Sequence, residues 1–538
     1  MKFISKKSQF KKILLILSVI FYLAGITSCA KNSSAASKTA RELNPRQGVY
    51  YSLFVRSFAD SDKDGIGDFN GITQKLDYLS ELGISGIWLL PIYPSHSYHG
   101  YDVDNYYMVN PDYGTMEDFE NLVKACNERG IAVMLDITFN HSSSNNEWFT
   151  ASKNPEDPHR AWYHWISENP VNENTGNVKD YSLNQQIWGH ALWNKAGNSY
   201  YAGEFYEGMP DFNLDCPELR KELKNVLKFW TDKGVSGFRF DAAGHIYDKI
   251  KMPNGFITST ESANEFWKEI TDYLEEINPQ NYSVGEVWDH TNIRAQALGG
   301  LNSVFHFDMG DVYILERIKQ NDDGNNIYAQ VIYNDLLAYS RQNPDYIDAP
   351  FLSNHDQSRI AGLLKGNTEE LKLAAGMYIL TQGIPFVYYG EEIGMMSGTK
   401  DETKRTPFLW GSNDKYQTSW ANEQDCIYNK KTKSLKEQLK DKNSLTNYYI
   451  KLINFRNSCS AFNGKFEVFD VNNSAVSSWI MKDEKQSALV LNNVSAGDTT
   501  VSVDLPVNFP PDFSTNEVKK NKDGTITIPP LTTAVFCF

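Results

Sequence analysis

Between residues 48 and 460, the spacing of hydrophobic residues alternates between the period typical of β-strands and the period typical of α-helices. Short β-rich runs alternate with stretches of helical periodicity, which is typical of parallel βα units. The predicted strands are 48–58, 86–91, 131–140, 235–241, 282–287, 303–307, 349–353 and 385–389, and the clearest helices are 72–82, 116–129, 217–233 and 263–276. Eight such strands fit an α/β fold of the (β/α)₈ or TIM barrel type. A doubly wound open sheet is the alternative, but no G-x-G-x-x-G motif follows the first strand.

Two regions interrupt this alternation. The Trp-, Asn- and Tyr-rich stretch after the third strand is far longer than a usual βα loop, so we predict a small inserted domain at 141–212. Beyond the last helix, short alternating runs predict a C-terminal all-β sandwich at 460–538. The barrel is therefore expected in two parts, 48–140 and 213–459.

The first 28 residues differ from the rest of the chain. A lysine-rich start and a short apolar run at 13–23 are typical of a signal peptide, and the run is too short to span a bilayer. The sequence I-T-S-C ending at Cys29 resembles a bacterial lipoprotein processing box. We therefore expect cleavage before Cys29, a lipid on its thiol, a linker up to residue 47, and a membrane-anchored, extracytoplasmic protein on a bacterial cell surface. A soluble secreted protein cut nearby is the alternative.

Composition narrows the possible partners. The 538-residue chain is 41% hydrophobic and 22% charged, as expected of a soluble globular protein. Removing the leader's five lysines takes the formal net charge from −15 to −20, which argues against nucleic acid and anionic lipid surfaces as partners. The cysteines are sparse and form no C-x-x-C pair, so neither a disulfide framework nor a zinc site is predicted. The sequence does not define an oligomeric state, and we take a monomer as the expectation.

Four predicted strands end in polar residues of catalytic type. Arg239 and Asp241 lie two residues apart, so they share one face of their strand. A carboxylate beside a fixed guanidinium is expected to stay ionised and can serve as a nucleophile, although a structural ion pair is the alternative. The other three strand ends supply further polar groups: Asp136, His141, Glu286, His355 and Asp356. Such ends converge on one face of a barrel, where active sites are built.

These segments resemble the signature regions of the α-amylase family of glycoside hydrolases. They read D-I-T-F-N-H at 136–141, G-F-R-F-D-A-A-G-H at 237–245, G-E-V-W-D at 285–289 and S-N-H-D at 353–356. The resemblance extends over roughly residues 48–538. It implies that Asp241 is the nucleophile, Glu286 the general acid/base and Asp356 the stabiliser of the distorted sugar. It also implies substrate-binding roles for four further residues: His141, Arg239, His245 and His355.

Retaining glycoside hydrolysis requires an ionised nucleophile and a protonated acid. We therefore expect the pKa of Glu286 to be raised by the neighbouring Val287 and Trp288 and by the negative charges of Asp241 and Asp356.

Two further segments bear on the substrate. By the resemblance, the motif Y-H-G-Y-D at 98–102 places Tyr101 against the sugar at the cleavage site and His99 on a hydroxyl; a loop aromatic on the surface is the alternative for Tyr101. Small exo-acting α-glucosidases have D-N-G-Y-D here, so His99 favours internal cleavage. The motif M-P-D-F-N at 209–213 resembles members intermediate between oligo-1,6-glucosidases and neopullulanases, and Gly244 replaces a lysine that often contacts the leaving-side sugar. Bond specificity therefore stays open.

The loop D-S-D-K-D-G-I-G-D at 60–68 predicts a calcium site by its chemistry and by the resemblance. Its alternating carboxylates and one backbone carbonyl are the oxygen ligands that Ca²⁺ requires. The predicted ligands are Asp60, Asp62, Asp64, Ile66 and Asp68. The loop is not an EF-hand because Gly71 occupies the twelfth position, and a solvated acidic turn is the alternative.

Together these features predict a retaining, endo-acting α-1,4-glucan hydrolase that acts on starch and maltodextrins. A neopullulanase-like or oligo-1,6-glucosidase-like enzyme, or a 4-α-glucanotransferase, is the enzymatic alternative. A non-catalytic glycan-binding lipoprotein is the third possibility, against which the complete set of catalytic acids argues.

Overall fold

The structure is a computed structural model, and it describes residues 42–167, 183, 185–247, 260–320 and 327–538. The predicted signal peptide and the anchor residue Cys29 lie outside the described residues.

Eight parallel strands form the barrel, as the sequence predicts. Their bounds are β1 Tyr50–Leu53, β2 Gly86–Leu89, β3 Ala132–Thr138, β4 Gly237–Asp241, β5 Val284–Gly285, β6 Ser303–His306, β7 Ile347–Pro350 and β8 Phe386–Tyr388. Hydrogen-bonded neighbours run in the order β7-β6-β5-β4-β3-β2-β1-β8. A parallel bridge between Phe351 and Phe386 brings β7 beside β8 and nearly closes the ring.

Helices follow the strands and cover the outside of the barrel. The longer ones are Phe69–Leu82, Met116–Asn127, Pro217–Asp232, Thr260–Ile277, Thr291–Ala297, Leu315–Gln320, Ile327–Gln342, Thr368–Ile379 and Leu445–Ser458. In Pro217–Asp232 the apolar residues recur on one face, as at Leu219, Leu223 and Trp230, which are buried. The helix Phe69–Leu82 begins where the Asp68 side chain accepts a hydrogen bond from the backbone N–H of Gly71. The predicted calcium loop is therefore tied directly to the first barrel helix.

Two β-rich regions flank the barrel core. Between β3 and β4 lie an antiparallel sheet (Trp165–Ser167, Trp193–Ala196, Ser199–Ala202) and a hairpin (Gln186–Ile187, His190–Ala191). The C-terminal region has a five-stranded antiparallel sheet (Lys465–Val468, Val476–Lys482, Ser487–Asn493, Phe513–Ser514, Thr532–Cys537) and a three-stranded one (Thr499–Val501, Lys519–Lys520, Ile526–Ile528). Both C-terminal sheets contribute to one apolar cluster, which confirms the predicted β domain. Within the described residues, no helix combines the length and apolarity needed to cross a bilayer.

Aromatic rings fill the barrel beneath its C-terminal mouth. Trp88 stacks on Phe305 at 5.3 Å between ring centroids, and Phe305 packs edge-on against Phe386 at 5.0 Å. At the start of β4, a Cβ on Gly237 would lie 1.7 Å from the carbonyl oxygen of Tyr282, so only glycine permits the close approach of this strand to the β5 segment. The polar residues at the barrel mouth therefore stand on a closely packed aromatic floor.

Candidate active site

One arginine connects three acids at the barrel mouth. Strand pairing places Arg239 beside Asp136 on one side and Val284 on the other. Its Nη1 donates to Asp136 Oδ1 at 2.8 Å and to Asp241 Oδ1 at 2.7 Å, and its Nη2 lies 2.8 Å from Glu286 Oε1. The Arg239 side chain is 1% exposed. A single guanidinium thus joins carboxylates from β3, β4 and the residue after β5.

Burial is the largest influence on the pKa values of these three acids. It raises the pKa of Asp136 to about 7, against the opposing effect of Arg239. It raises the pKa of Glu286 as well; Arg239 opposes this shift, while Asp241 and Asp356 reinforce it. The direction for Glu286 agrees with the expectation from sequence. Trp288, however, is 54% exposed and stacks on Phe307 at 5.1 Å.

The nucleophile candidate differs from the expectation. The contact with Arg239 alone predicts a low pKa for Asp241, but burial raises the pKa of Asp241 and Arg239 only opposes that rise. The physical reason is that three carboxylates share one cation, so no single acid receives its full compensation.

A backbone group also holds the acid candidate. Ala242, directly after Asp241, has φ +48°, in the left-handed region that residues other than glycine seldom adopt. Its N–H donates to Glu286 Oε2 at 2.9 Å. Glu286 is therefore bound at both oxygens, by Arg239 and by the Ala242 peptide.

The third acid belongs to a separate cluster. Asp356 Oδ1 lies 2.8 Å from Arg405 Nη2, and Asp356 Oδ2 lies 2.9 Å from His355 Nε2. Burial raises the pKa of Asp356, but these two partners outweigh it and hold the pKa well below its ordinary value. Asp356 is therefore ionised while Glu286 tends to keep its proton. Arg405 lies in the segment K-R-T-P-F-L-W at 404–410, which by resemblance is expected to shape the cleft, but its contact with Asp356 could not be predicted from the sequence.

Tyr101 joins the two clusters. Its hydroxyl donates to Asp136 Oδ2 at 2.9 Å and lies 2.5 Å from His355 Nε2, and its ring stacks on that of His355 at 5.5 Å. The residue is 8% exposed, so the alternative of a surface loop aromatic is wrong. Because His355 Nε2 faces both this hydroxyl and the Asp356 carboxylate, this nitrogen carries the proton.

The three remaining histidines line the same mouth. His141 is buried and its Nε2 donates to the Tyr101 carbonyl at 3.2 Å. His99 Nδ1 lies 3.0 Å from Ser97 Oγ, and burial lowers the pKa of His99 to about 4, so this imidazole is neutral at pH 7. His245 Nδ1 lies 3.3 Å from the buried Glu204. All six predicted substrate-binding residues thus lie in or beside the network around Arg239.

Only some of the predicted metal ligands lie close to one another. Carboxylate oxygens of Asp60, Asp62 and Asp68 lie within 4.8 Å of one another. Asp64 is outside this group, and its carboxylate accepts the Ile66 N–H at 2.7 Å. Burial raises the pKa of Asp68, with Asp62 adding to the shift. Three crowded carboxylates form a donor set that suits a hard divalent cation.

Phe205, from the inserted region, extends the mouth toward solvent. Its ring lies 5.1 Å from His141, 5.4 Å from Trp188 and 5.8 Å from His245. Strand-end reasoning misses Phe205 because it lies in a loop that follows the strand Ser199–Ala202 of the inserted region.

Comparison with known proteins agrees with this geometry. A family model described as alpha amylase, catalytic domain, matches residues 52–464. Alpha-amylase 3 of Dictyoglomus thermophilum is 39% identical over 460 residues, covering 85% of this chain and 86% of that protein. A 4-alpha-glucanotransferase of Thermotoga neapolitana is 29% identical and covers 84% and 96%. The crystal structure of an alpha-amylase from H. orenii superposes with a TM-score of 0.80 at 34% identity, covering 91% of this chain and 99% of that one.

Proposed function

The chain belongs to the α-amylase family of glycoside hydrolases, and from this we propose that it cleaves internal α-1,4 bonds of starch and maltodextrins with retention of anomeric configuration. The observation that carries the proposal is the attachment of Asp241 and Glu286 to the two terminal nitrogens of one guanidinium. That arrangement keeps the two carboxylates close, and retaining enzymes place theirs about 5–5.5 Å apart.

In the first step Asp241 attacks the anomeric carbon while Glu286 gives its proton to the departing glycosidic oxygen. Burial and the negative charges of Asp241 and Asp356 raise the pKa of Glu286, which favours the protonated form that this step requires. The leaving chain departs and a covalent glycosyl-enzyme remains.

In the second step water attacks the same carbon, Glu286 accepts the proton of that water, and Asp241 is released. Glu286 is now ionised, and the donors that hold its two oxygens, Arg239 and the Ala242 N–H, stabilise that charged form. Asp356, ionised throughout, faces the positive charge that develops on the sugar ring in both transition states.

Internal cleavage is supported by the residue at position 99. A neutral histidine offers hydrogen bonds to a sugar hydroxyl without capping the end of a chain with a charge. The T. neapolitana relative supports a second candidate, 4-α-glucanotransfer, in which a sugar hydroxyl replaces water in the second step.

The reaction products distinguish α-1,4 hydrolysis from glucanotransfer and from other bond preferences. The purified protein, incubated with maltoheptaose, pullulan and isomaltose, should release short α-maltodextrins from maltoheptaose only, with the α-anomer appearing first by proton NMR. Asp241→Asn is the matched inactive control. Products longer than seven sugars would establish transfer. Cleavage of isomaltose, or maltotriose from pullulan, would establish action on α-1,6 bonds, whereas panose from pullulan would indicate a neopullulanase-like enzyme that cuts its α-1,4 bonds. Release of no reducing sugar would leave a glycan-binding protein.

We also propose that the loop at 60–68 holds Ca²⁺ through Asp60, Asp62 and Asp68, with Asp64 and the Ile66 carbonyl as further predicted ligands. The ion would neutralise the crowded carboxylates and fix the start of the first barrel helix, a structural role away from the catalytic acids.

We also propose that Cys29 carries a lipid that anchors the protein at the cell surface. Its support is the lysine-rich start, the short apolar run and the processing box. Labelling cells with a tagged palmitate analogue should mark the protein, and Cys29→Ser should abolish the label; equal labelling of both would refute the anchor.

A further inference from the structure

A tryptophan occupies a strained turn at the edge of the candidate site. Trp188 and Gly189 connect the strands Gln186–Ile187 and His190–Ala191, whose register leaves a two-residue turn. Their φ angles are +45° and +90°, which is the type I′ pattern that Asn-Gly satisfies best. A bulky aromatic residue is disfavoured in this conformation, so the sequence retains Trp188 against the preference of the turn.

Packing within the folded protein does not explain why an indole ring occupies position 188. Trp188 is 62% exposed, the largest exposure among the large apolar residues that the described ranges leave at the surface, while its neighbour Ile187 is buried at 2%. His190 Nε2 lies 2.7 Å from the Glu204 carbonyl, which anchors the hairpin at its other end. The hairpin is therefore fixed on both sides and presents a mostly solvated ring.

The ring packs beside residues of the candidate site. Trp188 lies 5.4 Å from Phe205 and 5.5 Å from His245 between ring centroids. Phe205 in turn reaches His141 at 5.1 Å, and His141 binds the backbone of Tyr101. A row of rings thus leads from His141, which contacts the Tyr101 backbone, to the exposed Trp188, with His245 beside it.

We propose that Trp188 is an aromatic platform for a glucose unit on the leaving-group side of the scissile bond. Flat rings bind the C–H faces of sugars, and a fixed hairpin holds this ring without an ordering cost on binding. The platform supplies, by stacking, affinity on the side where Gly244 removes the lysine that many family members use. This inference rests on the proposed function because the leaving side is defined by the Asp241 and Glu286 chemistry.

The test compares two substrates. Maltoheptaose has sugars on both sides of the cleaved bond, whereas α-maltosyl fluoride has none on the leaving side. Trp188→Asn removes the ring and places the preferred residue in the turn, so the fold should be retained. We expect kcat/KM for maltoheptaose to fall roughly three- to tenfold, mainly through KM, with α-maltosyl fluoride unchanged.

Controls separate the possible outcomes. Trp188→Tyr should retain most of the maltoheptaose activity, and Tyr333→Ala, which removes an exposed ring from the helix Ile327–Gln342, should change neither substrate. Unchanged maltoheptaose kinetics in Trp188→Asn, or an equal loss on both substrates, would overturn the platform. Failure of the wild-type protein to cleave either substrate would instead overturn the proposed hydrolase.

A second inference concerns two thiols that join the barrel to the C-terminal domain. Cys459 follows the helix Leu445–Ser458, and Cys537 ends the strand Thr532–Cys537. Their Sγ atoms lie 3.5 Å apart, although the residues are 78 positions apart in sequence. A disulfide requires these sulfur atoms to close from this separation to roughly 2.05 Å. We infer that these cysteines form a disulfide in an oxidising compartment.

Glutathione disulfide can serve as the oxidant. One thiolate attacks it and releases glutathione; the second thiolate attacks the mixed disulfide and releases another, so two protein protons and two electrons leave with the two glutathiones. After this treatment, denaturing mass spectrometry should show the loss of two hydrogens and a higher Tm that dithiothreitol reverses. Cys126→Ser should keep both effects, and Cys459→Ser or Cys537→Ser should lose them. Alkylation of both Cys459 and Cys537 after oxidation, located by peptide mapping, would refute the crosslink.

Discussion

Replacing Arg239 by methionine tests the central electrostatic argument. The substitution keeps a long apolar stem but removes the guanidinium that contacts Asp136, Asp241 and Glu286 together. Removing one partner of a buried ion pair typically costs about 3–5 kcal/mol, because an uncompensated charge stays in the interior. Three acids lose a partner here, so we expect the unfolding free energy at pH 8 to fall by at least about 3 kcal/mol.

The loss of unfolding free energy caused by Arg239→Met should decrease as the pH falls. Without Arg239, the folded-state pKa values of these carboxyls rise further above their unfolded values. A raised carboxyl pKa destabilises the protein above the unfolded pKa, near 4, and the penalty disappears as pH falls and the acids bind protons. The difference between wild type and Arg239→Met should therefore shrink between pH 8 and pH 5.

Chemical denaturation at pH 8 and pH 5, followed by tryptophan fluorescence, measures this difference. Adding Asp136→Asn to Arg239→Met removes one uncompensated charge and should restore part of the stability at pH 8, whereas Asp136→Asn alone should not stabilise to the same degree. An Arg239→Met penalty below about 1 kcal/mol, or one equal at both pH values, would refute the reasoning.

Three further outcomes are expected. Asp241→Asn and Glu286→Gln should each lower kcat on the order of 10³-fold or more with unchanged circular dichroism, and near-normal turnover in either would sink the assignment. Asp356→Asn removes a charge that raises the Glu286 pKa, so the alkaline limb of residual kcat/KM should move to lower pH; an unmoved limb contradicts that coupling. Chelation with EDTA should lower the Tm until Ca²⁺ is restored, with Asp60→Asn insensitive to either treatment, and a Tm indifferent to EDTA in wild type would argue against the ion.

Strand ends were the predictable part of the site. Side-chain alternation places Arg239 with Asp241, and parallel topology carries Asp136, Glu286 and Asp356 to the same mouth. Strand lengths are less predictable: β5 is only Val284–Gly285, because hydrophobic residues beyond a strand also pack into the core.

Contacts across strands could not be read from the sequence. The register that sets Arg239 beside Val284 decides that the same guanidinium reaches Glu286, and no periodicity encodes it. The Tyr101 hydroxyl and Arg405 come from loops whose course depends on tertiary packing. The hairpin at Trp188 had no such signal either, because Trp-Gly is not a pair that tight turns prefer, and the position of the ring beside the site depends on the inserted region.

The left-handed turn at Ala242 has a consequence for redesign. Its N–H positions the acid without help from the nucleophile's side chain, so shortening Asp241 to alanine would leave Glu286 in place. The space vacated beside the anomeric carbon would then admit a small anion such as azide or formate. A variant of this kind becomes a vehicle for building α-glucans from activated donors, because it retains a proton-transfer group and lacks the means to hydrolyse what it makes.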